Sequence, residues 1–156
     1  MTNLSAYADL ARVPASESLR VANLLDLQVS AGFSEVDLAR LVVHGLPIRS
    51  GKALKGLLRT LLNAQIDVVP EATLRRAAKA RKTLSREHSE SIYQIGRVID
   101  AVSTVYRGDQ QRIAAFLGRP HPLLDGETPL DMARSSSAGA DAVLNLLHRA
   151  EAGVAV

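Results

Sequence analysis

SREHSESIYQIGRVIDAVSTVY, residues 85–106, decides the fold. Ile92, Ile95, Ile99, Val102 and Tyr106 recur every three or four residues, the repeat that aligns side chains on one face of an α-helix. Val98 and Val105 widen that stripe, and Gly96 and Ala101 let a neighbour approach closely. Ser85 supplies a capping hydroxyl ahead of the helix, and Gly108 stops it. A stripe this wide fits burial against more than one neighbour and is more apolar than one small domain needs, which points to burial of part of it across a homodimer; the opposing reading is an ordinary intramolecular core.

The segments before it also read as helices. The expected spans are Ser18 to about Val29, ended by Gly32; a helix capped by Ser34 with Glu35 and Asp37 in its first turn; and one from Ser50 carrying Leu54, Leu57, Leu58, Leu61 and Leu62. Gly45-Leu46-Pro47 separates the last two, and Asn63-Ala64-Gln65 closes the third. Pro70 suits the first turn of a further helix through Lys82, with Leu74, Ala77 and Ala78 facing inward. Residues 1–15 look like a loosely docked arm.

After Gly108, Asp109 opens a helix through Ile113, Phe116 and Leu117. Pro120 and Pro122 forbid helix across the next corner. Thr128-Pro129-Leu130-Asp131 is a strong helix start: hydroxyl cap, proline first, acid third. Val143, Leu146, Leu147 and Ala150 mark a final helix, expected to end at Gly153. With no strand alternation of useful length and no internal repeat, the fold class is all-α.

Composition agrees. The chain has 156 residues, 47% of them hydrophobic but only 3% aromatic, so its core is built of Leu, Val, Ile and Ala. There is no Cys, which excludes disulfides, thiolate metal sites and Cys nucleophiles. No secretion signal and no membrane-length apolar run are visible, and the expected location is the cytoplasm.

No catalytic constellation is legible. His44, His88, His121 and His148 stand far apart without a second ligand at metal spacing. Glycine-rich phosphate loops and nucleophile or zinc motifs are absent, so no cofactor, metal or catalytic residue is assigned and a small helical enzyme is disfavoured.

Net charge is only +3, but Arg75, Arg76, Lys79, Arg81, Lys82 and Arg86 face Glu71 alone between residues 71 and 86. A helix that follows another helix and a connector, and that presents Thr73, Arg76 and Lys79 at spacing three with Arg75 and Lys82 beside them, has what a helix-turn-helix reader needs. The opposing reading is a solvated surface helix. At the other end, Gly153 permits a sharp exit, and Val154, Ala155 and Val156 form a narrow apolar tail able to enter a partner's cavity.

The C-terminal block resembles a known family. AAFL at Ala114 to Leu117, Pro120, Pro122, Leu123, Gly126, Thr128 to Asp131, then Gly139, Val143, Leu146, Leu147, Gly153 and Val154 look like the MbcA/ParS/Xre antitoxin toxin-binding domain. Upstream, Gly45-Leu46-Pro47, Leu74-Arg75-Arg76 and Leu84-Ser85 with Glu87, Ser89 and Glu90 stand where such antitoxins carry an Xre-like helix-turn-helix and its junction to the long helix. Two departures are a connector, Asn63 to Val69, without glycine, and Asp125 where a second glycine is common.

The resemblance implies a type II antitoxin with an arm (1–15), a helix-turn-helix domain (16–84) and a toxin-binding domain with a tail (85–156). The partner would be a RES-domain toxin that consumes NAD, held through Leu147, His148, Glu151, Gly153, Val154, Ala155 and Val156. Thr73, Arg75, Arg76, Lys79 and Lys82 would contact operator DNA in a repressing homodimer or hetero-oligomeric complex. The alternative is a helix-turn-helix transcription regulator whose C-terminal domain serves only dimerisation.

Overall fold

The computed structural model describes residues 4–153. As expected, it is all-helical: eight α-helices and three short 3-10 helices, without a strand among the described residues. The helices are α1 (Glu17–Leu24), α2 (Glu35–His44), α3 (Ile48–Leu62), α4 (Glu71–Ala80), α5 (Arg86–Val105), α6 (Gln110–Gly118), α7 (Pro129–Ser135) and α8 (Ser137–Glu151).

α5 is the axle. It touches α1, α2 and α3 from the first half of the chain and α6, α7 and α8 from the second. Ile92, Ile95, Val98, Ile99 and Val102 are all buried by these neighbours. Fully burying such a side chain is worth roughly 1.5–3 kcal/mol, so the stripe belongs to this chain's own core. The width of the stripe therefore does not by itself call for a homodimer: only Ala101, Val105 and Tyr106, toward its C-terminal end, stay half-buried, with Tyr106 tilted against Phe116. Gly96 does admit a neighbour: Val21 of α1 and Leu25, just past its end, pack over the place a side chain would occupy.

The N-terminal segment is docked rather than loose. Leu4–Ala8 forms a 3-10 helix whose Leu4 and Tyr7 are only 1% and 4% exposed. The Tyr7 hydroxyl donates to the buried Asp100 carboxylate of α5 at 2.7 Å. Arg20 of α1 donates to both oxygens of the same carboxylate, at 2.9 and 3.2 Å, and to the carbonyls of Pro14 and Ala15. Burial first, and then the Asp100 charge, push the Tyr7 phenol well above its ordinary range. Asp100 thus ties the arm, α1 and α5 together.

Helix ends mostly follow their caps. Ser34 and Asp37 make the reciprocal capping box of α2, and Ser85, Thr128 and Ser136 cap α5, α7 and α8. α1 ends earlier than expected, at Leu24, because Asp26 turns the chain with a left-handed φ of 53°. α3 starts at Ile48 rather than Ser50, whose hydroxyl instead donates to the Leu25 carbonyl at 2.7 Å.

The corner between α2 and α3 is pinned to α5. The Leu46 amide donates to Ser89 Oγ at 2.8 Å, and the Leu84 amide to the Leu46 carbonyl at 2.9 Å. Gly45 lies against Leu84 with φ 106°, where no larger residue fits. One continuous cluster of buried residues runs from Leu4 to Leu147 across the 84/85 position expected to divide two domains.

Candidate functional site

α4 is held by one face. Leu74 is buried, Ala77 is half-buried, and Ala78, expected inside, is exposed. Lys55 of α3 reaches Glu71 at 2.6 Å and Asp67 of the connector at 3.6 Å. The hydrogen bond from Lys55 holds the Glu71 carboxyl below its ordinary range. Arg134 of α7 donates to the Asp67 carbonyl at 3.1 Å, fixing the connector from the other half of the molecule.

This anchoring uses the only acid of the basic stretch and leaves its cations outward. Arg75, Arg76 and Lys79 are exposed on α4, and Thr73 is half-buried with its hydroxyl accepting from Arg76 at 3.4 Å. Lys82 is exposed but lies beyond the helix. Pro70 occupies the cap position rather than the first turn, and the helix stops at Ala80 with Arg81 left-handed. The Arg81 amide bonds back to Ala78 and the Lys82 amide to Ala77, a Schellman closure made without glycine. Among the described residues, Arg76, Lys79 and Lys82 have no carboxylate within ion-pair distance. The arrangement is an anchored helix with an unneutralised cationic face, suited to a phosphate backbone.

The second surface is the end of the molecule built by α6, α7 and α8. Thr128 Oγ1 accepts from the Asp131 amide at 3.1 Å, and Ser136 Oγ from the Gly139 amide at 2.9 Å. Gly139 sits against the Met132 carbonyl, so α7 and α8 turn on each other with no room for a side chain there. Ala140, Val143, Leu146 and Leu147 bury α8 in the core.

Leu147 is therefore a correction: at 1% exposure it packs inside and is not presented to a partner. His148 and Glu151 are exposed, as are all residues from His148 to Gly153. Ala150, expected on the inner stripe, is among them. α8 leaves the core after Leu147 and projects its last turn into solvent, with Gly153 at φ 75°. Val154, Ala155 and Val156, assigned to the tail, lie outside the described residues.

Sequence reasoning missed the Tyr7–Asp100–Arg20 cluster and the Lys55–Glu71 pair, because each joins residues far apart in the chain. Of the histidines, His121 acts as a cap, its Nδ1 accepting from the Leu123 amide at 3.2 Å. No helix among the described residues is long and apolar enough to cross a membrane.

Residues 101–153 match the family model of the antitoxin Xre/MbcA/ParS C-terminal toxin-binding domain. The match runs from the last turn of α5 through α6, α7 and α8 to Gly153, so the surface just described coincides with a toxin-binding domain. It covers about a third of the chain and leaves the basic helix and its neighbours outside. No curated protein matches the chain. Residues 101–153 are thus similar to an antitoxin toxin-binding domain, and the partner such a domain implies is a toxin protein.

Proposed function

We propose that the protein is the antitoxin of a type II toxin–antitoxin pair, working in the cytoplasm. Residues 85–156 bind a RES-domain toxin and stop it from consuming NAD. Residues 16–84 bind the operator of the shared operon and repress it, with two or more copies on the DNA. The observation that carries this reading is the coincidence of the toxin-binding family match with a C-terminal helix whose last turn is fully exposed. His148, Glu151 and Gly153 supply the toxin contact on α8, continued by Val154, Ala155 and Val156. Thr73, Arg75, Arg76, Lys79 and Lys82 supply the DNA contact.

Neutralisation needs no chemistry from this chain. A toxin that uses NAD has cationic donors for the pyrophosphate, and the small apolar residues Val154, Ala155 and Val156 at the mouth of such a site block entry to it. Co-expression with a RES-domain toxin tests the reading: the two proteins co-purify, and cellular NAD stays at its uninduced level. A chain that fails to co-purify, or toxin that depletes NAD in its presence, leaves the alternative of a transcription regulator.

A further inference from the structure

A cavity lies away from both surfaces, between the docked N-terminal segment, α1 and α3. It is a half-open groove of about 940 Å³, within the range of small-molecule sites. Its floor runs along α3 from Arg49 to Leu61, about 18 Å at the helical rise. Neither the toxin-binding match nor the basic face of α4 uses it.

The groove is polarised. At the α3 N-terminal end stand Arg49 and Lys52, both exposed and, among the described residues, in no ion pair. Arg49 Nε donates to the Asp26 carbonyl at 2.8 Å, which orients the guanidinium. Asp26 is the single acid of the lining. Arg20 is committed to Asp100, and Arg12 on the opposite wall is paired with Asp9 at 3.2 Å. Further along, the lining is mostly apolar or small, with Ala53, Gly56, Leu57, Leu61, Leu24 and Val13, and its polar members Asn23, Thr60 and Gln110 carry no charge. Leu57 and Leu61 each keep 8% of their surface open, and a side chain at Gly56 would meet nothing within 4 Å.

We propose that this groove binds a free amphipathic anion, a long-chain carboxylic acid. Its carboxylate lies between Arg49 and Lys52, and its chain lies over Gly56 along Leu57 and Leu61. A cationic end and an apolar length match a ligand with one charged head and one apolar body. An acidic partner helix needs cations spread along both rims, and here the free ones cluster at one end. Guanidinium and ammonium donors suit a carboxylate, and the apolar floor rewards burial of the chain in proportion to its area.

Dodecanoate is the probe, titrated calorimetrically into the full-length protein and used to displace anilinonaphthalene sulfonate fluorescence. Wild type binds dodecanoate saturably at one site. Gly56→Leu, which fills open space on an exposed helix face and favours helix, keeps or raises the melting temperature and weakens binding by at least about tenfold. The double variant Arg49→Glu, Lys52→Glu weakens it likewise, and uncharged dodecyl maltoside does not compete. The proposal falls if wild type shows no saturable binding, if Gly56→Leu binds as well as wild type, or if dodecyl maltoside competes equally. It also falls if only vesicles of anionic phospholipid bind, which makes the face a membrane contact. It falls too if Gly56→Leu alters the sedimentation of the free protein while dodecanoate leaves it unbound, which gives the groove to a second copy. Toxin co-purification and operator binding by Gly56→Leu stay at wild-type level, so failure here is separable from failure of the antitoxin reading.

Discussion

Asp100 concentrates the polar energy of the core at one residue. It is almost fully buried on α5 and accepts from Tyr7 of the N-terminal 3-10 helix and Arg20 of α1, adding polar ties to segments that also pack by apolar contact. Removing the phenolic donor leaves Asp100 with Arg20, so Tyr7→Phe costs about 1–2 kcal/mol. Asp100→Ala strands the mostly buried Arg20 guanidinium and costs more, about 3 kcal/mol. Urea midpoints of the two variants against wild type check the order, and an Asp100→Ala midpoint at or above that of Tyr7→Phe contradicts the account. Gly45 makes a second residue-scale case: Gly45→Ala forces a left-handed backbone and drives a methyl group into the Leu84 carbonyl. It therefore destabilises by far more than the few tenths of a kcal/mol usual for a surface change.

At the scale of the element, the caps decide where helices begin. The Ser34 backbone amide, and then its hydroxyl, hold the Asp37 carboxylate below its ordinary range. A folded-state value below the unfolded one means the carboxylate stabilises the fold above the unfolded value, near 3.9 for a free Asp, and that contribution is lost as pH falls through the folded value. The stability difference between wild type and Asp37→Asn is accordingly present at neutral pH and closes on acidification. Denaturation midpoints measured at stepped pH read it, and a gap that widens toward acid refutes it.

These caps, like the α5 stripe, were legible because their determinants lie within three or four residues of each other. The end of α1 was not, since Asp26 takes a left-handed turn that glycine usually marks. The fate of the first fifteen residues was not legible either: Tyr7 is held by a residue 93 positions away. The basic face of α4 was read correctly as exposed, except that Ala78 shares that face and Lys82 lies past the helix end. Leu147 was given to the toxin contact by the family resemblance, although its place in the stripe with Val143 and Leu146 already put it inside; Ala150 was read as inner because periodicity gives the face a residue takes but not where a helix leaves its core.

Across the whole molecule, α5 couples the two proposed surfaces, and each remains separately testable. On the DNA side, removing one phosphate contact lowers the slope of log affinity against log salt by about 1. Arg76→Ala shows that change in an operator-binding salt series, and an unchanged slope and affinity place α4 away from DNA. On the toxin side, the buried part of α8 ends at Leu147, and the exposed turn from His148 to Gly153 has no packing role in this chain. Deleting residues 153–156 therefore leaves the melting temperature within a degree or two of wild type, since the core contacts of α8 stop at Leu147. The deletion separates binding from inhibition. The truncated chain still co-purifies with the toxin through His148 and Glu151, but NAD consumption returns because nothing occupies the entrance to the toxin's site. Full suppression of NAD loss by the truncated chain moves inhibition to the α8 surface itself, and loss of co-purification makes the last four residues the main anchor.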